Sequence, residues 1–570
     1  MKLKWEKRQP DRDTVSMLTR QLGLLPLTAK LLNNRAIYDL EEARGFLRPS
    51  FKDLPPPSLL KDIDAASLRI VAALEKKEEI LVFGDYDVDG ITATALLYRF
   101  LHNAGARVSY YIPNRITEGY GLKPMHITSC ALSRKAKLII TVDCGSSSHE
   151  AVREARQHGI DVIITDHHAL PKELPEALAV VNPKRRDAAG LLDSLAGVGV
   201  AFYLVISLRM QLRQIGHWRE KEEPNLKMFC DLVALGTVAD VVPMVTTNRI
   251  LTRAGLNVLH TSGNEGIRML MEQCGIDKRY MDSMDIAFKL APRLNAAGRL
   301  AHADAAMALL EADNPRDAAK HAGHLHALNR KRREMEQEIL EEIDAHIDRN
   351  PFKTSSKIVL LYGQEWHVGI LGIVASRLVN RFARPVVILT LEDNIARGSA
   401  RSIPGIDLAR LFAACSRHLM SHGGHAMAAG LQLHVDKIEA FRDDLEQKLE
   451  TIMAQGMATP SLMIDTQMDF KEISRALIDE LELLKPFGEK NPEPLFSAEN
   501  VRVTNSKTLS GGHRRMTLQQ AHGRSFQAIH FNPEPHVAIL DFFEKIAFHL
   551  QLNRWNGQEN IQLMIEDVMG

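Results

Sequence analysis

The stretch VFGDYDVDG, residues 82–90, places three aspartates at alternate positions directly after a short apolar run. Asp85, Asp87 and Asp89 would repel one another within one turn, and a divalent cation is the simplest group that removes this repulsion. The residues EEILVFGD predict a buried strand before the aspartates, and GITATALLYRFLHNAG predicts a helix after them that ends at Gly105. The stretch therefore predicts a strand, a metal-binding turn and a helix in succession.

Strand and helix patterns continue to alternate as far as residue 240. RVSYYIP, KLIITVDCG and IDVIITDHH predict further strands, and SSSHEAVREARQHG predicts a helix that ends at Gly159. Apolar strands that alternate with helices predict a mainly parallel sheet covered by helices on both faces. Ligands bind such sheets at the carboxyl ends of the strands.

Residues of the types that bind metals follow three of the predicted strands. Asp143 follows LIITV, and Asp166, His167 and His168 follow VIIT, just as the first aspartates follow ILVF. Because these strand ends meet at one edge of a parallel sheet, the side chains should lie close together. Carboxylate and imidazole ligands together favour a transition ion such as Mn²⁺, with Mg²⁺ as the alternative. The number of acids suits two ions that activate water for attack on phosphorus.

Other interpretations of these residues explain less. A calcium loop that starts at Asp85 requires an acid at its twelfth position, which is Leu96. A charged turn, or a helix cap with two surface histidines at DHH, explains each cluster alone but not their recurrence at successive strand ends. The segment GVGVAF, residues 197–202, lacks the third glycine of a dinucleotide-binding loop, so tight helix packing is the favoured interpretation.

Several residues outside this edge could belong to the same site. Asp240 lies in the apolar stretch ALGTVADVVPM and either caps a helix or binds a metal, because a buried carboxylate needs a partner. Glycine-rich turns elsewhere carry side chains that can hold phosphate, although a turn or packing is the favoured explanation for each one alone. These side chains are Arg293, Arg299, Ser399, Arg401, Ser402 and His425.

The chain of 570 residues is too long for a single core. A helical stripe of apolar residues, a cap at Asp313 or Asn314 and a stop at Pro351 predict one long helix between two globular parts. After it, a second strand–helix pattern gives way to short strands that predict a small β-barrel. The predicted parts are an N-terminal extension (1–60), a parallel-sheet α/β domain (61–312), a connecting helix (313–350), a second α/β domain (351–455) and the β-rich part (456–570).

The β-rich part has a local excess of positive charge. No Asp or Glu occurs from residue 501 to residue 533, and Phe526 and Phe531 lie among the basic residues. The basic residues are Arg502, Lys507, Arg514, Arg515 and Arg524. A basic β-surface with aromatic rings suits single-stranded nucleic acid, with Arg514 and Arg515 as substrate-binding candidates. A solvated barrel face whose aromatic rings belong to the core is an equal alternative.

Composition narrows the class of protein. Lys+Arg and Asp+Glu both number 71, so a basic binding surface must be local. The five cysteines form no CxxC pair, which argues against a zinc knuckle or a disulfide framework and predicts a cytoplasmic protein. No stretch approaches the roughly 20 apolar residues of a membrane span. The N-terminal residues MKLKWEKRQP lack the apolar core of a signal peptide.

Seven motifs follow one another along the chain: GDYDVDG, PNRITEGYGL, VDCG, TDHH, ALGTVADVVP, RLNAAGRL and GGHAMAAG. In this order they resemble the motifs of the DHH phosphoesterase superfamily. The length and the β-rich C-terminal part are similar to those of its single-strand-specific 5′→3′ DNA exonucleases. The resemblance implies a DHH domain, a long connecting helix, a DHHA1 domain and an OB-fold.

The resemblance also implies roles for individual residues. Two divalent ions, Mn²⁺ or Mg²⁺, are expected on Asp87, Asp89, Asp143, His167 and Asp240. Catalytic or supporting positions beside the ions are expected for Asp85, Asp166, His168 and His425. Contacts with the DNA backbone or its 5′ phosphate are expected for Arg115, Arg299, Ser399, Arg401 and Ser402.

The activity implied is hydrolysis of single-stranded DNA from its 5′ end to 5′-mononucleotides, in DNA repair and recombination. A helicase and a single-strand-binding protein are expected as partners beside the DNA. One alternative is a DHH phosphodiesterase for short oligonucleotides, cyclic dinucleotides or pyrophosphate, but the basic C-terminal segment argues against a small substrate. A second alternative is a non-enzymatic replication factor on the same scaffold, although every expected Asp and His is present.

Overall fold

The structure is a computed structural model. It describes residues 4–188, 190–261, 263–349, 356–454, 461–520, 523–534, 537–555 and 558–570. Four of the predicted domain limits lie outside the described residues: 350, 351, 455 and 456.

The N-terminal segment contributes one strand and three helices: β1 (Lys4–Lys7), α1 (Arg12–Leu22), α2 (Pro26–Asn34) and α3 (Leu40–Leu47). Strand β1 pairs in parallel with a strand at Ser461–Ile464. Leu18 and Leu31 are buried in the same apolar core as Phe496 of the C-terminal part. The two ends of the described chain are therefore packed together, a contact that no sequence pattern predicts.

The first α/β domain follows. Its strands are β2 (Glu79–Phe83), β3 (Arg107–Tyr111), β4 (Leu138–Val142), β5 (Asp161–Thr165) and β6 (Ala179–Val181). They form a five-stranded parallel sheet in the order β3-β2-β4-β5-β6. All five residues of β4 are buried, as the apolar run LIITV predicts for a central strand covered on both faces. The sequence-based prediction of a parallel sheet is confirmed.

Helices cover both faces of this sheet. The helices of this domain are α4 (Ile63–Glu75), α5 (Val88–Ala104), α6 (Pro124–His126), α7 (His149–Gln157), α8 (Gly197–Gln214), α9 (Cys230–Ala239), α10 (Thr246–Thr261), α11 (Glu265–Gln273), α12 (Ser283–Asp285), α13 (Ala291–Leu300) and α14 (Asp304–Leu310). Helix α5 ends at Gly105, whose φ of 89° is left-handed, as the sequence predicts. A π-helical turn, Ile286–Leu290, joins α12 to α13.

One long helix, α15 (Pro315–Arg349), connects the two α/β domains. Asn314 rather than Asp313 caps it, because the Asn314 Oδ1 accepts a hydrogen bond from the Asp317 N–H at 3.0 Å. Leu325, near the start, is buried in the core of the first domain. Ile339 and Ile343, near the end, are buried in the core of the second. The helix thereby fixes the spacing of the two domains.

The second domain has strands β7 (Val359–Gln364), β8 (Val386–Glu392), β9 (Ile395–Arg401), β10 (Ser421–Gly424) and β11 (Ala428–His434), and helices α16 (Val368–Phe382), α17 (Leu408–Ala414) and α18 (Ile438–Ala454). The sheet order is β10-β11-β9-β8-β7. Strands β7 and β8 are parallel, and the other neighbours are antiparallel. This is the α/β unit that the sequence predicts after the long helix.

The C-terminal part has helix α19 (Arg475–Leu483) and strands β12 (Ser461–Ile464), β13 (Thr466–Gln467), β14 (Phe496–Thr508), β15 (Arg514–Gln520), β16 (Ser525–His530), β17 (Phe542–Trp555) and β18 (Gln558–Met569). Five strands pair in the order β14-β15-β16-β18-β17, and β17 pairs again with β14. This second pairing closes the sheet into the predicted barrel. Within the described residues, every helix is too short or too polar to span a bilayer.

Candidate metal centre and active site

The carboxyl ends of β2, β4 and β5 bring the predicted metal-binding residues together. Asp87 caps α5, and its Oδ1 accepts a hydrogen bond from the Gly90 N–H at 3.1 Å. A Cβ on Gly90 would lie 2.6 Å from the Asp85 Cβ, so glycine is required for the turn to bring its first aspartate this close to α5. The alternate spacing of the aspartates therefore follows from a strand that turns at once into a helix.

Asp89 joins this edge to the N-terminus of α8. Its Oδ2 accepts a hydrogen bond from the Gly197 N–H at 2.6 Å, and its Oδ1 accepts one from the Val198 N–H at 2.9 Å. These donors and the helix dipole stabilise a carboxylate. A Cβ on Gly197 would lie 2.5 Å from the Asp143 Oδ1. Close approach to two carboxylates, rather than a dinucleotide, explains the glycine of GVGVAF.

His167 lies at the centre of the carboxylates. Its Nε2 is 3.2 Å from the Asp143 Oδ1, 3.5 Å from the Asp240 Oδ2 and 3.7 Å from the Asp89 Oδ2. Burial, and then the charge of His168, lower the pKa of His167 to about 3. The imidazole is therefore neutral near pH 7. It offers a lone pair to a ligand but no positive charge to the surrounding carboxylates.

Three ligand atoms in this cluster are buried without a hydrogen-bond partner among the described residues: Asp85 Oδ1, Asp143 Oδ1 and His167 Nε2. Burial, and then the neighbouring carboxylates, raise the pKa values of Asp85, Asp89 and Asp143 well above their ordinary range. Burial and the charge of Asp87 raise the pKa of Asp240 to about 7. Buried, unpaired acids of this kind are stable as carboxylates only with a cation among them.

Three sets of side chains each offer ligand atoms that lie within 4.8 Å of one another. The sets are Asp85, Asp87 and Asp143; Asp89, His167 and Asp240; and Asp143, His167 and His168. Since Asp143 and His167 each belong to two sets, the ligand atoms form adjoining groups rather than one isolated site. Carboxylate oxygens with imidazole nitrogen fit Mn²⁺ well and Mg²⁺ acceptably.

Asp166 differs from the other acids because both of its oxygens are already engaged. Its Oδ1 lies 2.8 Å from the His168 Nδ1, and its Oδ2 accepts a hydrogen bond from the Ser146 N–H at 2.9 Å. Burial opposes ionisation, but the hydrogen bonds outweigh it and lower the pKa of Asp166. Burial likewise opposes protonation of His168, but the bond to Asp166 raises its pKa. Asp166 thus orients His168 and favours its protonated form.

A tyrosine that sequence reasoning missed completes this side of the site. The Tyr120 hydroxyl donates to the Asp143 carbonyl oxygen at 3.1 Å and lies 3.0 Å from the His168 Nδ1. Tyr120 belongs to the motif PNRITEGYGL, in which the resemblance points to Arg115 alone. The His425 ring, from the second domain, stacks on His168 with 6.3 Å between ring centroids. A cavity of about 540 Å³ opens beside Tyr120, His168 and His425.

Arginines gather next to the metal ligands. The Arg299 Nη1 donates to the Gly369 carbonyl oxygen at 3.1 Å. The Arg401 Nη1 donates to the Ser399 Oγ at 3.1 Å, and the Arg115 guanidinium lies 4.9 Å from the Tyr86 ring centroid. Burial, followed by the charges of Arg115, Arg332 and Arg401, lowers the pKa of Arg299 to about 9. Mutual repulsion of this kind is relieved by an anion, so the cluster is suited to bind phosphate.

Three predicted or considered phosphate-binding residues are occupied elsewhere. Ser402 is buried, and its hydroxyl donates to the Ile406 carbonyl oxygen at 2.7 Å. Arg514 is 3% exposed and donates to the Val537 carbonyl oxygen and the Ser506 Oγ inside the barrel. Arg293 is buried as well and donates to the Lys289 carbonyl oxygen. Burial and these hydrogen bonds argue against substrate binding by Ser402 and Arg514, whose roles stay predictions. Arg515, one residue along, is exposed.

Comparison with known proteins accounts for all three domains. The DHH family N-terminal domain matches residues 79–237, the DHHA1 domain matches residues 355–451, and the RecJ OB domain matches residues 464–567. The single-stranded-DNA-specific exonuclease RecJ of Escherichia coli (strain K12) is 35% identical over 100% of both chains. The chain belongs to the RecJ family. The RecJ of Bacillus subtilis (strain 168) is 34% identical over 99% of this chain and 71% of its own length.

Solved RecJ structures share the architecture. A crystal structure of RecJ in complex with Mn²⁺ from Thermus thermophilus has a TM-score of 0.84 and 29% identity, covering 100% of this chain and 79% of that one. A crystal structure of exonuclease RecJ bound to manganese has a TM-score of 0.60 and 33% identity, covering 75% of this chain and 99% of that one. The predicted family and fold class are confirmed. The roles of individual residues stay predictions.

Proposed function

We propose that this chain is a metal-dependent exonuclease that degrades single-stranded DNA from the 5′ end toward the 3′ end and releases 5′-mononucleotides. The observation that carries the proposal is the buried cluster of carboxylate and imidazole ligand atoms beside the arginine cluster. The relatives named single-stranded-DNA-specific exonucleases support the choice of substrate.

The metal-binding residues proposed are Asp87, Asp89, Asp143, His167 and Asp240, for two Mn²⁺ or Mg²⁺ ions, with Asp85 offering a further oxygen. Divalent ions at these ligands supply Lewis-acid chemistry, since they lower the pKa of water and neutralise charge on a phosphodiester. Two backbone N–H groups hold the Asp89 carboxylate. The Asp143 N–H donates to the Thr165 carbonyl oxygen at 3.0 Å, which fixes the backbone of this ligand at the end of its strand. The protein's own hydrogen bonds therefore position these two acids.

The arginine cluster sets the direction of degradation in this proposal. Arg115, Arg299 and Arg401 would bind the terminal 5′ phosphate, because Arg groups recognise phosphate through paired N–H donors. A phosphate inside a continuous strand carries less charge than a terminal phosphate, so a strand end is the better ligand. The distance from this cluster to the metal ligands would then place the next phosphodiester for cleavage, one nucleotide from the end.

Two histidines, His168 and His425, would also contact the phosphodiester. His168 is bonded to Asp166, which favours its protonated form, and His425 stacks on it from the second domain. N–H donors at this point would offset the negative charge that develops on the phosphate during attack. Because His168 and His425 belong to different domains, the site is complete only when the two domains stand as α15 fixes them.

The barrel would hold the strand away from the cut. Arg502, Lys507, Arg515 and Arg524 are exposed, and Lys507 lies directly opposite Arg515 on the neighbouring strand. Like charges in such a pair repel each other and favour an anionic ligand. Phe531 is 54% exposed and contacts His513 edge to face, so its exposed surface could stack on a base, whereas Phe526 packs against Phe470 in the core. The barrel surface therefore matches the nucleic-acid interpretation in part.

The cellular setting is also part of the proposal. A role in DNA repair and recombination, a cytoplasmic location, and cooperation with a helicase and a single-strand-binding protein follow from the family resemblance. A DHH phosphodiesterase for short oligonucleotides or cyclic dinucleotides is the alternative function. The exposed cations of the barrel favour the long substrate, because a dinucleotide bound at the metal ligands would not need that surface for binding.

Digestion of one single-stranded DNA, labelled at either its 5′ or its 3′ end, tests the proposal. With Mn²⁺, the 5′ label should leave at once as a mononucleotide while the 3′-labelled strand shortens gradually, and EDTA should stop both reactions. Intact long DNA together with cleavage of dinucleotides would instead favour the alternative. Release of the 3′ label first would contradict the proposed polarity.

A further inference from the structure

A small pocket of about 220 Å³ adjoins the proposed metal ligand Asp240, since both of its neighbours in the chain line the pocket. It lies between the end of α9, the π-helical turn and the helices α13, α15 and α16. Its walls are largely apolar and include Val238, Val241, Ala287, Ala291, Pro292 and Ile373. It is smaller than the roughly 300–1,000 Å³ of sites for drug-sized ligands, which suits a single heterocycle.

Val241, which lines this pocket, has an unusual backbone conformation and an unusually exposed side chain. It directly follows Asp240, its side chain is 67% exposed, and its φ of 58° is left-handed. A β-branched residue in this region is strained, and such strain persists only where the surroundings impose it. Three residues later, the Met244 N–H donates to the Glu489 carbonyl oxygen at 2.7 Å and anchors the loop to the C-terminal part. The fold therefore holds an apolar side chain toward solvent beside a metal ligand.

The charged side chains in the lining of the pocket are both arginines. Arg299 and Arg332 line it, and no Asp or Glu belongs to its lining among the described residues. Arg332 is bonded to Glu336 at 3.0 Å. Arg299, which also donates to the Gly369 carbonyl oxygen, belongs both to this lining and to the proposed phosphate-binding cluster, so the pocket adjoins that cluster. An apolar floor with a cationic rim complements a base attached to a phosphate backbone.

We propose that this pocket binds one unpaired base of the DNA substrate, beside the phosphodiester that is cut. The inference rests on the proposed function and specifies how the site selects single strands. A base in a duplex is stacked on adjacent bases and paired with its complement. A base in this pocket must be unstacked from those adjacent bases and unpaired from its complement. Apart from the Asn295 amide, which can both donate and accept a hydrogen bond, the apolar walls read no hydrogen-bonding pattern, so the subsite accepts any base and excludes a base pair.

The variant Val241→Gly tests the subsite, because glycine removes the side chain and adopts a φ of 58° without strain. Leu191→Gly is the matched control, since Leu191 is 63% exposed and lies outside the pocket. Each enzyme is assayed with Mn²⁺ on 5′-phosphorylated oligonucleotides that carry a single abasic site, moved one position at a time from the 5′ end. The abasic residue keeps the phosphate and removes the base alone.

Wild type should lose about tenfold in kcat/KM when the abasic site is at one particular position, which is typical of one lost base contact. Val241→Gly should lose about tenfold on ordinary DNA, chiefly through KM, and should not respond to the abasic site at that position. Ile373→Ala, on another wall of the pocket, should show the same pattern more weakly. Leu191→Gly should behave as wild type, and the thermal stability of Val241→Gly should not fall.

Two results would overturn the subsite while leaving the exonuclease proposal intact. One is normal kcat/KM in Val241→Gly, and the other is a full abasic effect that persists in that variant. Absence of Mn²⁺-dependent cutting by wild type would instead overturn the proposed function and the subsite together. The wild-type reaction on unmodified DNA therefore separates failure of the subsite from failure of the function.

Discussion

Charge is handled in opposite ways at the edge of the first sheet and on the surface of the barrel. Asp89, Asp143 and His167 are at most 6% exposed, and two of them have a ligand atom without a hydrogen-bond partner within the described ranges. Lys507 and Arg515 face water on neighbouring strands. A buried charge must be matched by a ligand, whereas an exposed charge is already stabilised by solvent. The first arrangement can therefore carry chemistry, and the second can add graded affinity.

The largest effect is expected from the buried acid that belongs to two ligand sets. Asp143→Ala should lower the rate of hydrolysis by roughly 10³-fold or more, because groups that act as a unit lose most of their effect together. Binding of single-stranded DNA, measured by fluorescence anisotropy, should persist. Asp393→Ala is the control. Asp143 and Asp393 both have a left-handed φ (61° and 52°), but Asp393 is exposed and lies in the turn between β8 and β9. Retained turnover in Asp143→Ala would remove Asp143 from the site.

The arginine cluster should show an intermediate effect, because its charges are partly buried. Arg401→Ala should reduce the preference for 5′-phosphorylated over 5′-hydroxyl DNA by about ten- to a hundredfold, since hydrogen bonds to charged groups contribute about 1.5–3 kcal/mol. Arg397→Ala, four residues earlier in β9 and paired with Glu392, is the matched control. Equal rates on both kinds of DNA end in wild type would show that the cluster does not read the terminal phosphate.

The buried acids also predict how pH affects the metal-free protein. The pKa of Asp240 is raised from 3.8 to about 7, so its contribution to stability is complete below pH 3.8 and is lost as pH rises through 7. Mn²⁺ should restore that loss, by about 3 kcal/mol at a hundred times its Kd. Thermal unfolding should thus show a larger Mn²⁺ shift at about pH 8 than at about pH 5. A shift that is independent of pH would indicate binding outside the buried acids.

The smallest effect is expected on the barrel, where two adjacent arginines provide an internal comparison. Arg515→Ala should weaken binding of single-stranded DNA about two- to fivefold, in line with at most ~1 kcal/mol for an exposed ion pair. The slope of log affinity against log salt should fall by about 1. Arg514→Ala should lower thermal stability instead, because its guanidinium bonds Val537 and Ser506. The opposite outcome would reverse the assignment of the two side chains.

Much of the metal centre could be predicted because a parallel sheet brings its strand ends together. Acids or histidines follow each of the runs ILVF, LIITV and VIIT, and the parallel topology alone places these side chains at one edge of the sheet. The glycine-rich turn of His425 marks it as a candidate, but its stacking on His168 depends on how the second domain is oriented. That orientation follows from packing along α15, which no local pattern encodes.

The barrel shows where composition fails as a guide. Arg514 shares a strand face with Met516 and Leu518, which are buried, so the period of two along β15 places Arg514 inside. Counting basic residues ignores that period, which is why composition made Arg514 a substrate-binding candidate although its side chain is buried. Tyr120 could not be predicted from the sequence for a different reason, since its role depends on the contact of its hydroxyl with His168, 48 positions away.

The most direct test of a metal centre at the edge of the first sheet is to count the Mn²⁺ ions bound at equilibrium, by calorimetry and by mass spectrometry of the folded protein. We expect two ions per chain for wild type and for Asp393→Ala, and loss of tight binding in Asp143→Ala together with loss of hydrolysis. Undiminished binding in Asp143→Ala, or hydrolysis by wild type that continues after the ions are removed, would contradict a catalytic metal centre at the edge of the first sheet.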